Sequence, residues 1–254
     1  MKKLTLLIIT LTLFTLAFAD TYFIGTGTVT TRNYPFSGYN DYNWCKAIWT
    51  AAELTTAGIP ANTPIVGIGF NIQSVTAPYT MNAQSIYVRH TALISYDSGS
   101  SETGIGYPNP SGFTSVYQGT IVYPGTGWLY LTFSPSFTWD GTSGLEFLFE
   151  NRDGTWASGY PYFYCTNTTN YMTVYKVQDG SFPTGSGTRT YARPNVAIIT
   201  PSTTPPGAPV LSLPADGATG LSNTPTLSWT APTTGGLPTG YKVYLGVSTP
   251  LTTP

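Results

Sequence analysis

The sequence predicts an all-β fold: a jelly-roll-like β-sandwich followed by a second, incomplete sandwich. Aromatic residues make up 15% of the 254 residues, and the chain holds 27 Gly and 21 Pro. Aromatic residues favour strands, and glycine and proline favour turns. Apolar runs alternate with a period of two, as in residues 65–72, where Val66, Ile68, Phe70 and Ile72 are large and apolar. Alternating runs separated by turns are typical of a sandwich.

Ten strands are predicted in the first sandwich. They cover residues 22–31, 42–50, 64–73, 84–91, 113–123, 127–134, 144–151, 160–166, 171–178 and 190–200. Turn sequences such as Asp140-Gly141-Thr142 separate them. A helix of one or two turns is predicted at residues 50–57.

The chain divides into four predicted segments. Residues 1–19 have the pattern of a secretory signal peptide: Lys2 and Lys3, an apolar run, then Ala17-Phe18-Ala19 as a cleavage signal. The apolar run of roughly 13 residues is too short for a membrane span, although an N-terminal anchor stays as the alternative. Residues 20–200 form the β-sandwich module, and residues 201–208 form a Pro/Thr linker. We expect a secreted or cell-surface protein with no later membrane span.

The last segment contains Trp229 and the alternating run Tyr241-Lys242-Val243-Tyr244. Through these residues, residues 209–254 resemble the start of a fibronectin type III domain, which is an immunoglobulin-like sandwich. Strands are predicted at residues 210–213, 225–230 and 241–245, whereas a whole domain has seven strands in about 100 residues. The resemblance implies a truncated domain, with further domains C-terminal to the visible chain.

The first unit contains a series of short sequence blocks, at residues 24–27, 34–36, 48–54, 58–59, 65–70, 87–91 and 139–145. With these blocks in this order, the unit resembles a β-sandwich surface module of large secreted proteins from Bacteroidetes-like bacteria. Such modules often accompany fibronectin type III repeats and a C-terminal sorting segment. The resemblance implies a non-catalytic surface module and transfers no ligand residues.

Charge excludes two classes of partner. Only 8% of the residues are charged, and the formal net charge is -1. A nucleic-acid-binding protein carries a basic stripe, and a protein that binds anionic lipid carries a polybasic patch. The sequence shows neither, so the expected partner is a surface glycan or an extracellular protein.

The two cysteines, Cys45 and Cys165, allow a disulfide in an exported protein. A bridge would close a loop of about 120 residues and contribute about 4–5 kcal/mol in the chain-entropy model. The alternative is a pair of separate, buried thiols. The sequence leaves both open.

Catalysis finds little support. Alternation places His90, the one histidine, on the face of Ile86 and Val88, so a packed or capped side chain is expected. Glu146 and Glu150 share a strand face, but their backbones are roughly 13 Å apart. Glycosidase pairs lie about 5–9.5 Å apart. We expect two carboxylates on a partly exposed strand face, and no enzyme.

One group of residues is compatible with calcium. Asp140, Glu150, Asn151 and Asp153 fall near predicted loops, and calcium takes six to eight oxygen ligands, often from several loops. The alternative is that Asp140-Gly141 and Asp153-Gly154 are turn formers. No other cofactor is expected.

Aromatic residues give the main binding signal. Tyr160, Tyr162 and Tyr164 alternate along one predicted strand, and Trp156 precedes them in a loop. A row of exposed tyrosine and tryptophan side chains is suited to stacking on sugar rings. The alternative is aromatic packing between strands inside the sandwich.

These features predict a non-catalytic extracellular module of a larger modular adhesin or cell-surface protein. The alternative is a carbohydrate-binding module of a secreted hydrolase whose catalytic domain lies beyond residue 254. A surface-layer or fibre subunit is a third interpretation, because edge strands with few charges can pair between copies.

Overall fold

A computed structural model describes residues 19–202, 207–215, 218, 222, 224–232, 241 and 243. Residues 21–200 form one compact unit, and the described residues after them belong to a second. The first unit and its ends contain β1 Ala19–Ile24, β2 Val29–Thr31, β3 Tyr42–Trp49, α1 Ala51–Thr56, β4 Thr63–Ser74, β5 Tyr79–Thr91, β6 Thr114–Tyr123, β7 Gly127–Trp139, β8 Gly144–Asn151, β9 Tyr162–Asn167, β10 Thr173–Gln178, β11 Thr188–Thr190, β12 Ala192–Pro194 and β13 Val196–Pro201. The predicted all-β fold is confirmed.

Two antiparallel sheets pack face to face in the first unit. Sheet A has the order β1-β13-β4-β9-β12, with β7 paired to β4 and β2 paired to β9, and sheet B has the order β11-β10-β3-β8-β5-β6. Aromatic side chains join the two: the rings of Phe70 on β4 and Phe149 on β8 meet edge to face at 5.5 Å. Phe36 contacts both rings. This shared core makes the unit sandwich-like.

Sheet B is covered on its outer face as well. Trp44, Ile48, Leu148 and Val174 point away from the main core and pack under Tyr96, which lies in the long loop after β5. Every residue of β8 is therefore buried. The prediction that Glu146 and Glu150 lie on a partly exposed face was wrong, because this loop folds over them.

The helix predicted at residues 50–57 is confirmed as α1. Thr50 and Glu53 form a capping box, in which each side chain accepts a hydrogen bond from the other residue's backbone N–H. Arg193 on β12 donates to Glu53 Oε2 at 2.9 Å and to the carbonyl of Ile48. The same carboxylate therefore starts the helix and ties it to sheet A.

Two predicted strands are divided. The strand predicted at residues 22–31 is β1 and β2, because Gly25 has φ 94° and turns the chain between them. The strand predicted at residues 190–200 is broken at Tyr191 and at Asn195, so that it comprises the end of β11, all of β12 and most of β13. Conversely, β5 and β7 are longer than predicted.

The second unit has one described sheet, in which β14 Val210–Leu213 pairs with β15 Ser228–Thr230. All four side chains of β14 are exposed, and the ring of Trp229 meets that of Tyr241 at 5.2 Å. The rest of the strand predicted at residues 241–245 lies outside the described residues, apart from Val243. So do residues 1–18 of the predicted signal peptide and residues 203–206 of the predicted linker.

Candidate binding site

Aromatic side chains cover part of the outer face of sheet A. On β7, Leu129, Leu131 and Phe133 point inward, whereas Trp128, Tyr130 and Thr132 point outward. The outward residues stand opposite Asn71, Gly69 and Gly67 of β4 respectively. The neighbouring strand thus presents two glycines and one amide beside two large rings.

The rings on this face contact one another. The planes of Trp128 and Tyr130 differ by 16°, with centroids 6.3 Å apart. The ring of Phe23, on β1, lies 4.8 Å from that of Trp128. Phe23 and Tyr130 are 53% and 50% exposed. The three rings thus form a contiguous, partly exposed apolar patch, which makes this face a candidate binding surface.

A cleft of about 370 Å³ opens beside these rings, and we call it the aromatic cleft. Its walls are formed by Phe23, Gly25, Thr26, Gly27, Thr28, Asn71, Trp128, Tyr164 and Asn195. None of these side chains carries a formal charge. The volume falls in the range of small-ligand sites, roughly 300–1,000 Å³.

Hydrogen bonds fix one wall of the aromatic cleft. Asn195 donates to the carbonyl of Gly27 at 2.8 Å, and the hydroxyl of Thr166 donates to Asn195 Oδ1 at 2.7 Å. That hydroxyl also accepts from the backbone N–H of Gly27 at 2.7 Å. A Cβ on Gly27 would lie 2.5 Å from the carbonyl oxygen of Cys165. Glycine is therefore required for the loop to approach β9 this closely.

Other polar groups of the cleft remain available to a ligand. The side chains of Asn71 and Tyr164 are half-buried, and neither makes a hydrogen bond to any residue that the structure describes. An amide offers two donors and one acceptor, and a phenol can donate and accept. The cleft thus combines apolar rings with unpaired hydrogen-bonding groups.

The four residues predicted to bind ligand are separated. Tyr164 lines the aromatic cleft. Tyr160 and Tyr162 instead contact each other and surround Arg32, which donates to Tyr160 Oη at 3.0 Å and stacks on Tyr39. Trp156 is 57% exposed in the loop before β9 and makes no ring contact within the described residues.

The residues suggested for calcium do not come together. Asp140 lies in the turn before β8 and accepts hydrogen bonds from Ser143 and Thr142, which hold the pKa of its carboxyl well below its usual range. Glu150, Asn151 and Asp153 lie at the other end of β8, roughly 20 Å away along the strand. Asp153 accepts from the backbone N–H of Asn82. Across the described ranges, no three acidic, cysteine or histidine residues are placed to hold a metal.

Glu146 and Glu150 are buried and already paired. Arg89 contacts Glu146 Oε2 at 2.7 Å, and Tyr96 donates to Oε1 at 2.7 Å. Arg152 donates to Glu150 Oε2 at 2.7 Å, and Tyr107 donates to the other oxygen. A carboxylate held in this way is a structural ion pair, so neither is free to act as a nucleophile or a base.

Lys46 is the other buried charge under the covering loop. It is fully buried, donates to the backbone carbonyl of Glu102, and lies 4.6 Å from the ring centroid of Tyr96. Burial lowers the pKa of Lys46 to about 8, against the opposing pull of Glu146. The ionised groups on this face therefore belong to a closed network beneath the loop.

His90 lies at the exposed end of β5. Its ring lies 4.8 Å from that of Phe137, and its Nε2 is 3.8 Å from Asp140 Oδ2. The side chain of His90 contacts Phe137, but it is 37% exposed and is not buried as Ile86 and Val88 are. The residue sits beside a turn and lines neither the aromatic cleft nor the buried network.

Both cysteines are buried, free thiols. Cys45 lies on β3 in sheet B and Cys165 lies on β9 in sheet A, and both side chains belong to the core between the sheets. Burial raises the pKa of Cys165 to about 12 and raises that of Cys45 well above its usual value. Of the two alternatives, the structure has separate thiols, and the bridge is not formed.

Sequence reasoning missed Phe23, Asn71 and Trp128, which line the cleft, and Tyr130, whose ring lies beside that of Trp128. The available signal was the spacing of Gly67 and Gly69 within β4 beside Trp128 and Tyr130 on β7. Alternation separates the two faces of β7, but it does not say which face is covered by the other sheet. That information came only from the packing.

No helix in the described part of the chain has both the length and the apolar character to cross a membrane. No protein-family model, curated protein or solved structure shows a significant match to this chain. The function is therefore inferred from the residues and their geometry.

Proposed function

We propose that residues 21–200 are a non-catalytic binding module of a larger adhesin or cell-surface protein. The observation that carries this proposal is the outer face of sheet A, where Phe23 and Tyr130 are exposed on either side of the half-buried Trp128, next to the aromatic cleft. Rings of this size are normally buried in a soluble domain. Their exposure on one flat sheet favours a surface that contacts a partner.

The state of the acidic residues supports a non-catalytic role. The carboxylates most suggestive of hydrolysis, Glu146 and Glu150, are each bound to an arginine and a tyrosine under a loop. General acid–base catalysis needs a group within hydrogen-bond reach of the substrate. The aromatic cleft itself is lined by uncharged side chains.

Sequence features favour a location outside the cell. The signal-peptide pattern of residues 1–19 favours export. The resemblance of residues 209–254 to a fibronectin type III domain favours a spacer that holds the sandwich away from its point of attachment. The sandwich is proposed to have a jelly-roll-like arrangement.

A surface-binding assay tests the proposal. Beads coated with the full chain would be offered insoluble polysaccharides, purified extracellular-matrix proteins and whole cells, in parallel with hydrolase assays on the same polysaccharides. Saturable binding to one of these surfaces without hydrolysis supports a binding module. Hydrolysis that is abolished by changing one carboxylate, or the absence of binding to every surface, would overturn it.

A second candidate function is a carbohydrate-binding module of a secreted hydrolase, which the aromatic cleft specifically favours. The two candidates differ in the kind of domain expected beyond residue 254. A catalytic domain in the continuing reading frame would favour the hydrolase, whereas repeats and a sorting tail would favour the adhesin.

A further inference from the structure

We propose that the aromatic cleft binds a neutral glycan, with a sugar ring stacked on Trp128 and its hydroxyl groups hydrogen-bonded to Asn71. This inference rests on the proposed function and names its ligand class. It concerns residues different from Trp156 and Tyr160, to which the sequence pattern points.

The rings suit the apolar face of a pyranose. Trp128 lies between Phe23 at 4.8 Å and Tyr130 at 6.3 Å, so three rings succeed one another along the edge of the cleft. The planes of Trp128 and Tyr130 are within 16° of each other. The ring of Phe23 is tilted by 59° to that of Trp128, so Trp128 and Tyr130 are the pair that offers near-parallel stacking positions to two successive sugars.

Hydrogen-bonding groups lie where the sugar hydroxyls would need them. Asn71 stands opposite Trp128 in the β4–β7 pairing, so its amide is adjacent to the stacking ring. Tyr164 closes the other side of the cleft. Both side chains lack partners among the described residues, and unpaired amide and phenol groups can each donate to and accept from a hydroxyl.

The absence of charge in the cleft lining selects among glycans. An acidic sugar, a phosphate or a sulfate would be recognised through arginine or lysine, and the walls of the cleft contain neither. The arginine on this face, Arg32, is already stacked on Tyr39 and bonded to Tyr160. A neutral sugar therefore matches the lining best.

The cleft is preorganised for such a ligand. Asn195, Thr166 and Gly27 form a closed set of hydrogen bonds on one wall, so this wall does not have to be ordered by the ligand. Preformed walls reduce the entropy cost of binding. The cleft volume of about 370 Å³ also suits one or two sugar rings better than a folded partner, whose interface covers about 800 Å² on each side.

The test is titration of the full chain with neutral oligosaccharides built from glucose, xylose, mannose or N-acetylglucosamine, measured by calorimetry and tryptophan fluorescence. Acidic oligosaccharides of uronic acids serve as the contrast. Trp128→Ala and Asn71→Ala test the cleft, and Trp128→Phe keeps a ring there if the alanine variant unfolds. Tyr191→Ala removes an exposed ring at another place and is the matched control.

We expect wild-type binding to at least one neutral glycan with a change in tryptophan fluorescence. Trp128→Ala should weaken it at least about tenfold, Asn71→Ala should weaken it several-fold, and Trp128→Phe and Tyr191→Ala should bind within about threefold of wild type. The inference is overturned if only acidic glycans bind, or if Trp128→Ala binds like wild type. Loss of binding in Trp156→Ala instead would move the site to the loop before β9.

The outcomes separate this inference from the proposed function. A protein that binds matrix proteins or cells but no neutral glycan keeps the binding module and rejects the sugar cleft. A protein that binds none of these surfaces rejects both.

Discussion

The ring of Tyr130 lies over Gly69, on the neighbouring strand of sheet A. A Cβ on Gly69 would be 2.7 Å from Cδ1 of this ring, closer than two carbon atoms can approach without displacement. Tyr130 therefore depends on glycine for its position, and this pair sets the shape of the exposed aromatic face.

Alanine at Gly69 and at Gly67 should have different effects. The Cβ of Gly69→Ala meets a half-exposed ring that can move, so we expect a destabilisation below about 1 kcal/mol and weaker ligand binding. The Cβ of Gly67→Ala would lie 2.6 Å from the backbone oxygen of Leu131, which cannot move alone, so a loss of about 2 kcal/mol is expected. Urea unfolding of both variants is the measurement, and equal losses would contradict the difference.

Removing Glu146 should destabilise the protein strongly. Glu146→Ala leaves the charge of Arg89 without its partner under the loop, and breaking a buried pair costs about 3–5 kcal/mol. Glu102→Ala is the control, because Glu102 is 46% exposed and lies 3.8 Å from the same arginine. Exposed pairs contribute less than about 1 kcal/mol. Similar free energies of unfolding for the two variants would show that the Glu146 pair is not a structural element.

The ionised carboxylate of Glu53 should account for part of the stability that the protein loses as the pH falls. Burial opposes ionisation of Glu53, but its hydrogen bonds with Arg193 and Thr50 outweigh this and lower its pKa. A carboxyl with a lowered pKa stabilises the folded state above its unfolded pKa, and this stabilisation is lost as the pH falls through the folded pKa. Glu53→Gln should therefore have a lower melting temperature than the wild type at pH 7. Its melting temperature should also fall less than that of the wild type when the pH is lowered to acidic values. If the melting temperatures of Glu53→Gln and of the wild type fell equally over this pH range, this role of Glu53 would be contradicted.

Tyr123→Phe should stabilise the fold. The phenol of Tyr123 is fully buried and its oxygen has no hydrogen-bond partner in the described chain. Removing an unsatisfied buried hydroxyl is expected to add about 1 kcal/mol to the free energy of unfolding. A lower melting temperature for Tyr123→Phe at pH 7 would be evidence against an unpaired hydroxyl.

Tyr123 should also affect how much stability the protein loses at alkaline pH. Burial raises the pKa of Tyr123 well above 10.0, so ionisation of its phenol leaves stability unchanged below the unfolded pKa and lowers it as the pH rises from there through the folded pKa. Above about pH 10, Tyr123→Phe should therefore lose less stability than the wild type does. Thermal melting at pH 8 and above 10 measures this, with Tyr39→Phe, an exposed tyrosine, as control.

The two thiols should react only after unfolding. Cys45 and Cys165 are fully buried, and burial raises their pKa, which leaves almost no reactive thiolate at neutral pH. A thiol reagent should react with no cysteine in the native protein and with both cysteines in denaturant. If none reacts in denaturant and two appear only after reduction, the disulfide is the correct alternative.

Local sequence determined most of the secondary structure. Residues 144–151 were predicted as a strand with the bounds of β8, because apolar alternation and the turn at Asp140-Gly141 are local signals. The short helix predicted at residues 50–57 spans Ala51–Thr56, and its capping box joins Thr50 to Glu53, which are near neighbours in the chain. The strand interruptions at Gly25 and Asn195 were not predicted, because they arise from contacts with distant parts of the chain.

The candidate site was predicted only in part. Tyr164 lines the aromatic cleft, whereas Tyr160 and Tyr162 surround Arg32, which is about 130 residues earlier in the chain. The central residues Trp128 and Asn71 come from β7 and β4, and their adjacency results from strand pairing over more than 50 residues. No local pattern contains that pairing.

Residue types and their spacing were enough to predict a chain rich in strands, poor in charge and aromatic at alternating positions. Which aromatic faces are buried depended on how the sheets and loops pack together. The loop after β5 folds over sheet B and buries the outer face of β8, while the outer face of β7 in sheet A stays exposed with Trp128 and Tyr130. A period of two gives a strand two faces, but which face meets solvent depends on the elements that pack against it from elsewhere in the chain.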